Sequence, residues 1–308
     1  MWVCLISRTI AVIDAPSNLG LRPPGPGQLP GVYKMADALR AQGIVARLSA
    51  VDAGRIMPPL YSDELDQSVG IRNYGGIETF AVRLADHVQQ VVQSGRFPLV
   101  LGGDCSILLG PMLALRRLGR HGLFFIDGHV DFNTPATSQT GGAAGMDLAL
   151  VTGRGPEVLS DLEARKPLVR DEDAVVFGPR DLLAASTPAS QAVRSTAIKV
   201  YDLEQIRQMG MRRAVSNSLA LLQSNVEGFW IHLDVDVLDS EVMPAVDSPQ
   251  SGGMSYNELT KTLQLLLASD KAVGMEITIF DPELDPDGRL AAELTNAIVQ
   301  SFGGQRTR

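Results

Sequence analysis

FFIDGHVDFNTP, residues 124–135, passes from an apolar run straight into Asp127, His129 and Asp131, three ligand-type side chains spaced two apart. An apolar run without polar alternation reads as a strand buried on both faces, as in a parallel sheet covered by helices. Residues two apart in extended backbone point to the same side. The three side chains therefore face one point if the chain stays extended past the strand end. The design recurs in WIHLDVDVLDS, residues 230–240, which carries Asp234 and Asp236, and in GMEITIFDP, residues 274–282, which carries Glu276.

Outward from these segments, short apolar runs alternate with helical patterns. Strands are predicted over 9–14, 45–51, 98–101, 123–126, 174–177, 198–201, 229–233 and 272–277. Helices are predicted over 32–42, 77–94, 107–118, 211–223, 256–268 and 288–302. This alternation predicts an α/β fold whose mostly parallel sheet, of about eight strands, is covered on both faces and joined by right-handed crossovers. Ligands gather at the carboxyl ends of such strands, where the acidic segments fall. All 308 residues are read as one domain. The Pro/Gly-rich segment 21–31 and the connection 51–75 read as long loops, and 134–145, rich in Thr, Ser, Gly and Ala, is the expected substrate loop.

Four aspartates crowded together without counter-charge would repel one another and lose hydration at a cost of many kcal/mol. One or two divalent cations are the natural compensation, and carboxylates with imidazole suit Mn, Mg, Fe or Ni better than a thiolate-rich zinc site would. A net charge of −8 with pI near 5.1 argues against a nucleic-acid or anionic-membrane partner. No run approaches bilayer-spanning length. The apolar N-terminus is interrupted by Arg8 and does not read as a signal peptide. Cys4 and Cys105 form no disulfide framework, which points to a reducing, cytoplasmic setting. Asp104, in a Gly-Gly turn, and Asp239 read as loop-fixing hydrogen bonders. His232 faces the same side as Asp234 and is either a donor to the site or a satisfied core histidine. His87 and His121 read as surface residues.

LGGDCS at 101–106, DGHVDFNTP at 127–135, DVDVLDSEVMPAVDSPQSGG at 234–253 and the Glu276 segment resemble, in that order, the motifs of the arginase/agmatinase (ureohydrolase) family. The resemblance implies a three-layer α/β/α fold and a pair of Mn2+ ions whose bridging hydroxide attacks a guanidino carbon and releases urea. By the same resemblance, Asp127 and Asp234 bridge the metals, Asp131 with Cys105 completes one shell, and His129 with Asp236 completes the other. Asp131 relays a proton, Glu276 holds the guanidinium, and Asn133 and Thr140 hold a substrate carboxylate. A homo-oligomer, trimer or hexamer, is implied in the same way.

The chain departs from the family pattern at Cys105, where a histidine ligand is usual, and at Ala144, where arginases place a shuttle histidine. It also has Leu183 where an acidic residue would help recognise an α-amino group. A thiolate is softer and favours other divalent metals. The expected activity is hydrolysis of arginine or a related guanidino compound. The alternatives are a modified guanidine such as hydroxyarginine, agmatine or a guanidino acid, or a catalytically silent arginase-like subunit.

Overall fold

The computed structural model describes residues 8–181 and 187–303. Its strands are β1 Ile10–Asp14, β2 Val51–Arg55, β3 Phe97–Leu101, β4 His121–Ile126, β5 Ala174–Phe177, β6 Lys199–Tyr201, β7 Gly228–Asp234 and β8 Ala272–Thr278. They form one all-parallel sheet in the order β2-β1-β3-β8-β7-β4-β5-β6. The four central strands are buried along nearly their whole length, which is why they read as continuous apolar runs.

The described helices are α1 Met35–Ala41, α2 Ile44–Arg47, α3 Tyr74–Gln93, α4 Leu109–Leu118, α5 Asp147–Val151, α6 Glu157–Ser160, α7 Pro188–Arg194, α8 Leu203–Met209, α9 Met211–Asn225, α10 Tyr256–Leu267 and α11 Arg289–Ser301. Period two divides the strand side chains between two cores. Leu99, Phe124, Ile126, Phe229, Ile231 and Leu233 pack with α1, α9, α10 and α11. Val100, Leu123, Phe125 and Trp230 pack with α3, α4 and α5. Each large apolar side chain so buried contributes roughly 1.5–3 kcal/mol. Helix α10 opens on a capping box in which Ser255 and Glu258 satisfy each other's backbone N–H groups, worth about 1 kcal/mol.

The predicted strand over 45–51 is corrected. Residues 44–47 form the single turn α2, Ser49 takes a left-handed φ of 51°, and extended backbone begins only at Val51. Of that apolar run only Ile44 is buried in α2, and Arg47 docks the turn by donating to Asn296 Oδ1 at 2.7 Å. Strand β2 is a short, exposed edge held by β1 alone. Ion pairs reinforce that backbone pairing, since Asp14 at the end of β1 accepts from both Arg40 and Arg55. A charged, short edge strand resists pairing with another chain, and it leaves no hydrophobic alternation to read. His121 is likewise not a surface residue: it opens β4, buried opposite Gly228, where a glycine leaves room for the ring. His87 is half-buried on α3 and contacts Ala53 O. The short helices α5 to α8 lie outside the predicted ones, being too brief to show a helical period.

Candidate metal centre

All the ligand-type residues rise from the carboxyl ends of β3, β4, β7 and β8. Strand β3 runs into Gly102-Gly103, a turn so close to the neighbouring chain that a Cβ at 103 would stand 1.7 Å from Ser17 O. Asp104 fixes the turn by accepting from Ser17 Oγ at 2.7 Å and Ser106 N at 2.9 Å, so its role is the structural one expected. Cys105 follows it, buried, with Sγ 2.9 Å from Asp234 Oδ2 and 3.1 Å from Thr278 Oγ1.

Beyond β4, Asp127 accepts the backbone N–H of His129 at 2.6 Å, and Gly128 N–H donates to Asp236 Oδ1 at 3.0 Å. Asp234 ends β7 and accepts Asp236 N–H at 2.7 Å. His129 Nδ1 lies 2.9 Å from Asp236 Oδ2 and 3.6 Å from Asp127 Oδ1, while its Nε2 faces Gln250 Nε2 at 2.8 Å. Arg180 braces the loop by donating to the carbonyls of Asp236 and Val237 at 2.7 and 2.8 Å. Asp131 takes a left-handed φ of 39°, unusual for a residue with a side chain. Asp239 ties its loop by accepting from Glu241 N and Gly252 N.

Donor atoms of Asp127, His129 and Asp236 lie within 4.8 Å of one another, and so do those of Cys105, Asp127 and His232. Asp127 thus belongs to two three-donor clusters. Its Oδ2 is buried with no hydrogen-bond partner among the described residues, a costly state for a carboxylate oxygen unless a cation fills the place. The electrostatics agree. Burial and the Asp236 charge push Asp127 up to about 6. Burial, reinforced by neighbouring carboxylates, holds Asp131, Asp147 and Asp234 well above the ordinary carboxylate range. Asp236 alone falls below it, because against its burial the adjacent His129 favours the charged form. Burial and then Asp234 raise the Cys105 thiol. Divalent cations would reverse these penalties, so the donor set fits a metal centre.

A cavity of about 210 Å³ opens over the centre, lined by Cys105, His129, Asp131, Asp234 and Asp236 together with Asn133, Thr140 and Ala144. Asn133 accepts from Thr137 Oγ1 at 3.2 Å, and Thr140 Oγ1 accepts from Gly142 N at 3.1 Å, so the 134–145 loop does border the cavity. So do Leu21 and Arg22 of the 21–31 loop, with Asp247 and Ser248. A larger groove of about 620 Å³ lies beside it and shares Leu21 and Asp247, but it holds none of the ligand-type residues.

Glu276 is the expected site residue that the structure places elsewhere. It is fully buried, accepts from His232 Nδ1 at 2.8 Å and does not line the cavity. The register explains this: Glu276 pairs with His232 in β7, whereas Asp234 pairs with Thr278, two residues farther along the same face. From this segment Ile279 reaches the cavity instead, carried there by a left-handed φ of 75°. Sequence reasoning also missed Asp147, Arg22, Asp247 and Gln250. Asp147 is buried three residues after Ala144, and an acid opening the otherwise apolar run 147–151 was the available signal. Leu183 and Cys4 lie outside the described residues.

The family model described as the Arginase family matches residues 9–303. The arginase of Staphylococcus aureus (strain MSSA476) is 31% identical over 306 residues, covering 96% of this chain and 98% of its own. The arginase of Bacillus caldovelox has a solved structure that superposes with a TM-score of 0.87 at 29% identity, covering 97% of this chain and all of its own. That of Bacillus cereus gives a TM-score of 0.85 at 30% identity, covering 98% and 100%.

Proposed function

This chain belongs to the arginase family, hydrolases of C–N bonds other than peptide bonds, and we propose that it uses a pair of divalent cations to cleave a guanidino compound and release urea. The observation that carries the reading is the sharing of Asp127 between two donor clusters, whose Cys105, His129 and Asp236 line one cavity. Asp127 and Asp234 would hold both ions, Asp131 and Cys105 one of them, and His129 and Asp236 the other. Manganese suits the oxygen- and imidazole-rich position. The bound ions would supply a water acidified enough to be nucleophilic at neutral pH.

The remaining work falls to the chain. Asp131 lines the cavity, and its carboxyl is held above the usual range by burial and by Asp127, which suits it to carry a proton to the departing amine. Asn133 and Thr140, in the cavity lining, would orient a substrate carboxylate, with Arg22 of the same lining as a cationic partner. Glu276 acts at one remove: it accepts from His232 beneath the floor and holds that ring in place.

A second reading, a modified guanidine as substrate, is favoured by the cavity wall. Ala144 and Ile279 present no proton-carrying or charged group there, so a head group with a better leaving group or fewer hydrogen-bonding needs fits well. Hydrolysis by the Mn-loaded protein, read as urea from arginine, agmatine, guanidinobutyrate and guanidine and as N-hydroxyurea from hydroxyarginine, tests both. Turnover of arginine supports the first, and turnover of hydroxyarginine alone supports the second. Silence across the panel with two metals bound overturns both and leaves an arginase-like subunit without this chemistry.

A further inference from the structure

Two rows of the sheet face the α3, α4 and α5 layer. The upper row holds Asp234 beside Thr278, with Asp127 one residue past the end of β4. The lower row, two residues back, runs Phe125, His232, Glu276, Val100 across four strands. A fully buried histidine and a fully buried glutamate thus lie directly under the metal-ligand row.

The ring of His232 is fixed on two sides. Phe125 stacks on it with centroids 4.5 Å apart and planes 11° apart. Its Nδ1 donates to Glu276 Oε1 at 2.8 Å, which leaves the lone pair on Nε2. That Nε2 has no hydrogen-bond partner among the described residues, and neither do Asp127 Oδ2 and Asp147 Oδ2. Nε2 and Asp147 Oδ2 face each other at 3.9 Å, too far for a hydrogen bond. Three buried, unpartnered atoms in one place need a common partner.

We propose that His232 is a metal ligand, so that the ion assigned to Cys105 and Asp131 is held also by His232 Nε2, beside Cys105 Sγ and Asp127 Oδ2, with Asp147 as a further oxygen at its edge. Donors of Cys105, Asp127 and His232 lie within 4.8 Å of one another. Donors on one tetrahedral ion stand roughly 3.3–3.8 Å apart, given metal–ligand lengths near 2.0–2.3 Å, so small side-chain rotations close the site. Glu276, donor-paired to the far ring nitrogen, is the carboxylate that orients a metal-bound histidine. The two positions then differ in chemistry. Asp127, His129 and Asp236 form a harder set, whereas thiolate and imidazole make the Cys105 position one for Zn2+ or Fe2+. This deepens the metal-centre part of the proposed function and rests on it, but its test does not pass through urea.

The full-length chain, stripped with chelator, is titrated with Co2+ and, separately, loaded with one equivalent of Zn2+. Thiolate-to-cobalt charge-transfer absorption and, at the zinc edge, X-ray absorption showing both sulfur and imidazole on the same ion are expected. Cys105→Ser should abolish the charge-transfer band. His232→Gln should weaken binding at that position by at least about 100-fold, and Glu276→Gln by about 10-fold, with circular dichroism reporting the fold of each. The zinc measurement uses the unaltered chain, so a variant that fails to fold does not remove the test. Sulfur without imidazole, no sulfur at all, or a folded His232→Gln variant that binds Co2+ as the wild type does would overturn the inference. A sulfur- and imidazole-bound ion in a protein silent toward every guanidino compound would leave it standing and overturn only the functional reading.

Discussion

Asp127 turns one carboxylate oxygen to the His129 backbone N–H at 2.6 Å and leaves the other buried without a partner. The first oxygen shapes the loop after β4 and the second is free for a cation. These duties separate in Asp127→Asn, whose side-chain oxygen still accepts from His129 while its charge is gone. The variant is expected to fold, to lose both bound ions because Asp127 serves both clusters, and to lose more than about 100-fold of any urea release, beyond what disturbing an orienting partner costs. Metal content by mass spectrometry alongside the urea assay checks this, and retention of two ions would contradict it.

The metal-free protein should lose stability as pH rises from about 4 to about 6. Asp127 has an ordinary value of 3.8 when unfolded and about 6 when folded. Between those values the folded state binds more protons, so unfolding free energy falls with rising pH. Two units correspond to roughly 3 kcal/mol. Asp131, Asp147 and Asp234 are displaced the same way and extend the loss to higher pH. Asp236 is displaced downward, so its contribution is lost only below the ordinary carboxylate range. The raised pKa of His129 makes its contribution fade only above the ordinary histidine value. Metals bind the deprotonated donors, so loading reverses the trend. Thermal melts of chelated and Mn-loaded protein across this range should diverge as pH rises, and parallel curves would contradict the account.

The fold and most of the candidate metal site were legible because two local rules carry them. Continuous apolar runs marked the central strands, and spacing by two at strand ends put Asp127 with His129 and Asp234 with Asp236. What was not legible depends on neighbours distant in sequence. Glu276 resembled one more strand-end acid, and only its register with His232 shows that it stops two residues short of the cavity. Ile279 reaches the cavity through a backbone conformation that β-branched residues rarely adopt. Strand β2 is defined by pairing and by Arg40 and Arg55 on Asp14, so its sequence carries no alternation. His232 stayed ambiguous because a buried histidine and a ligand have the same local pattern.

Gly103 holds the β3 turn against Ser17, and the constraint is space. A Cβ there would meet Ser17 O at 1.7 Å and Ser17 C at 2.6 Å, both backbone atoms held in place by Asp104 N–H donating to that same oxygen at 3.1 Å. Gly103→Ala is therefore expected to destabilise by about 3 kcal/mol or more, at or beyond the upper end of ordinary overpacking, and to displace Cys105. At Gly75, in the first turn of α3, a Cβ would meet nothing within 4 Å. Gly75→Ala should stabilise by roughly 0.5–1 kcal/mol. Denaturant midpoints of the two variants, measured with the wild type, should move in opposite directions.

Ile279 occupies the cavity position nearest the end of β8, and of the carboxylates that line the cavity all but Asp247 are those assigned to metal. A planar guanidinium seated there meets an apolar wall where an anion would bind it. Ile279→Glu places a carboxylate on that wall, on a backbone whose φ of 75° is no more unfavourable for glutamate than for the β-branched isoleucine. A charge-assisted hydrogen bond contributes about 1.5–3 kcal/mol, so the dissociation constant of the loaded protein for guanidine should fall at least about 10-fold. An uncharged analogue such as urea should gain far less, because only the cation gains the full ionic attraction. Calorimetric titration of both compounds into wild type and variant reads the difference. Equal affinity of the two proteins for guanidine would mean that residue 279 does not face the substrate, and that the head group lies against Asp247 instead.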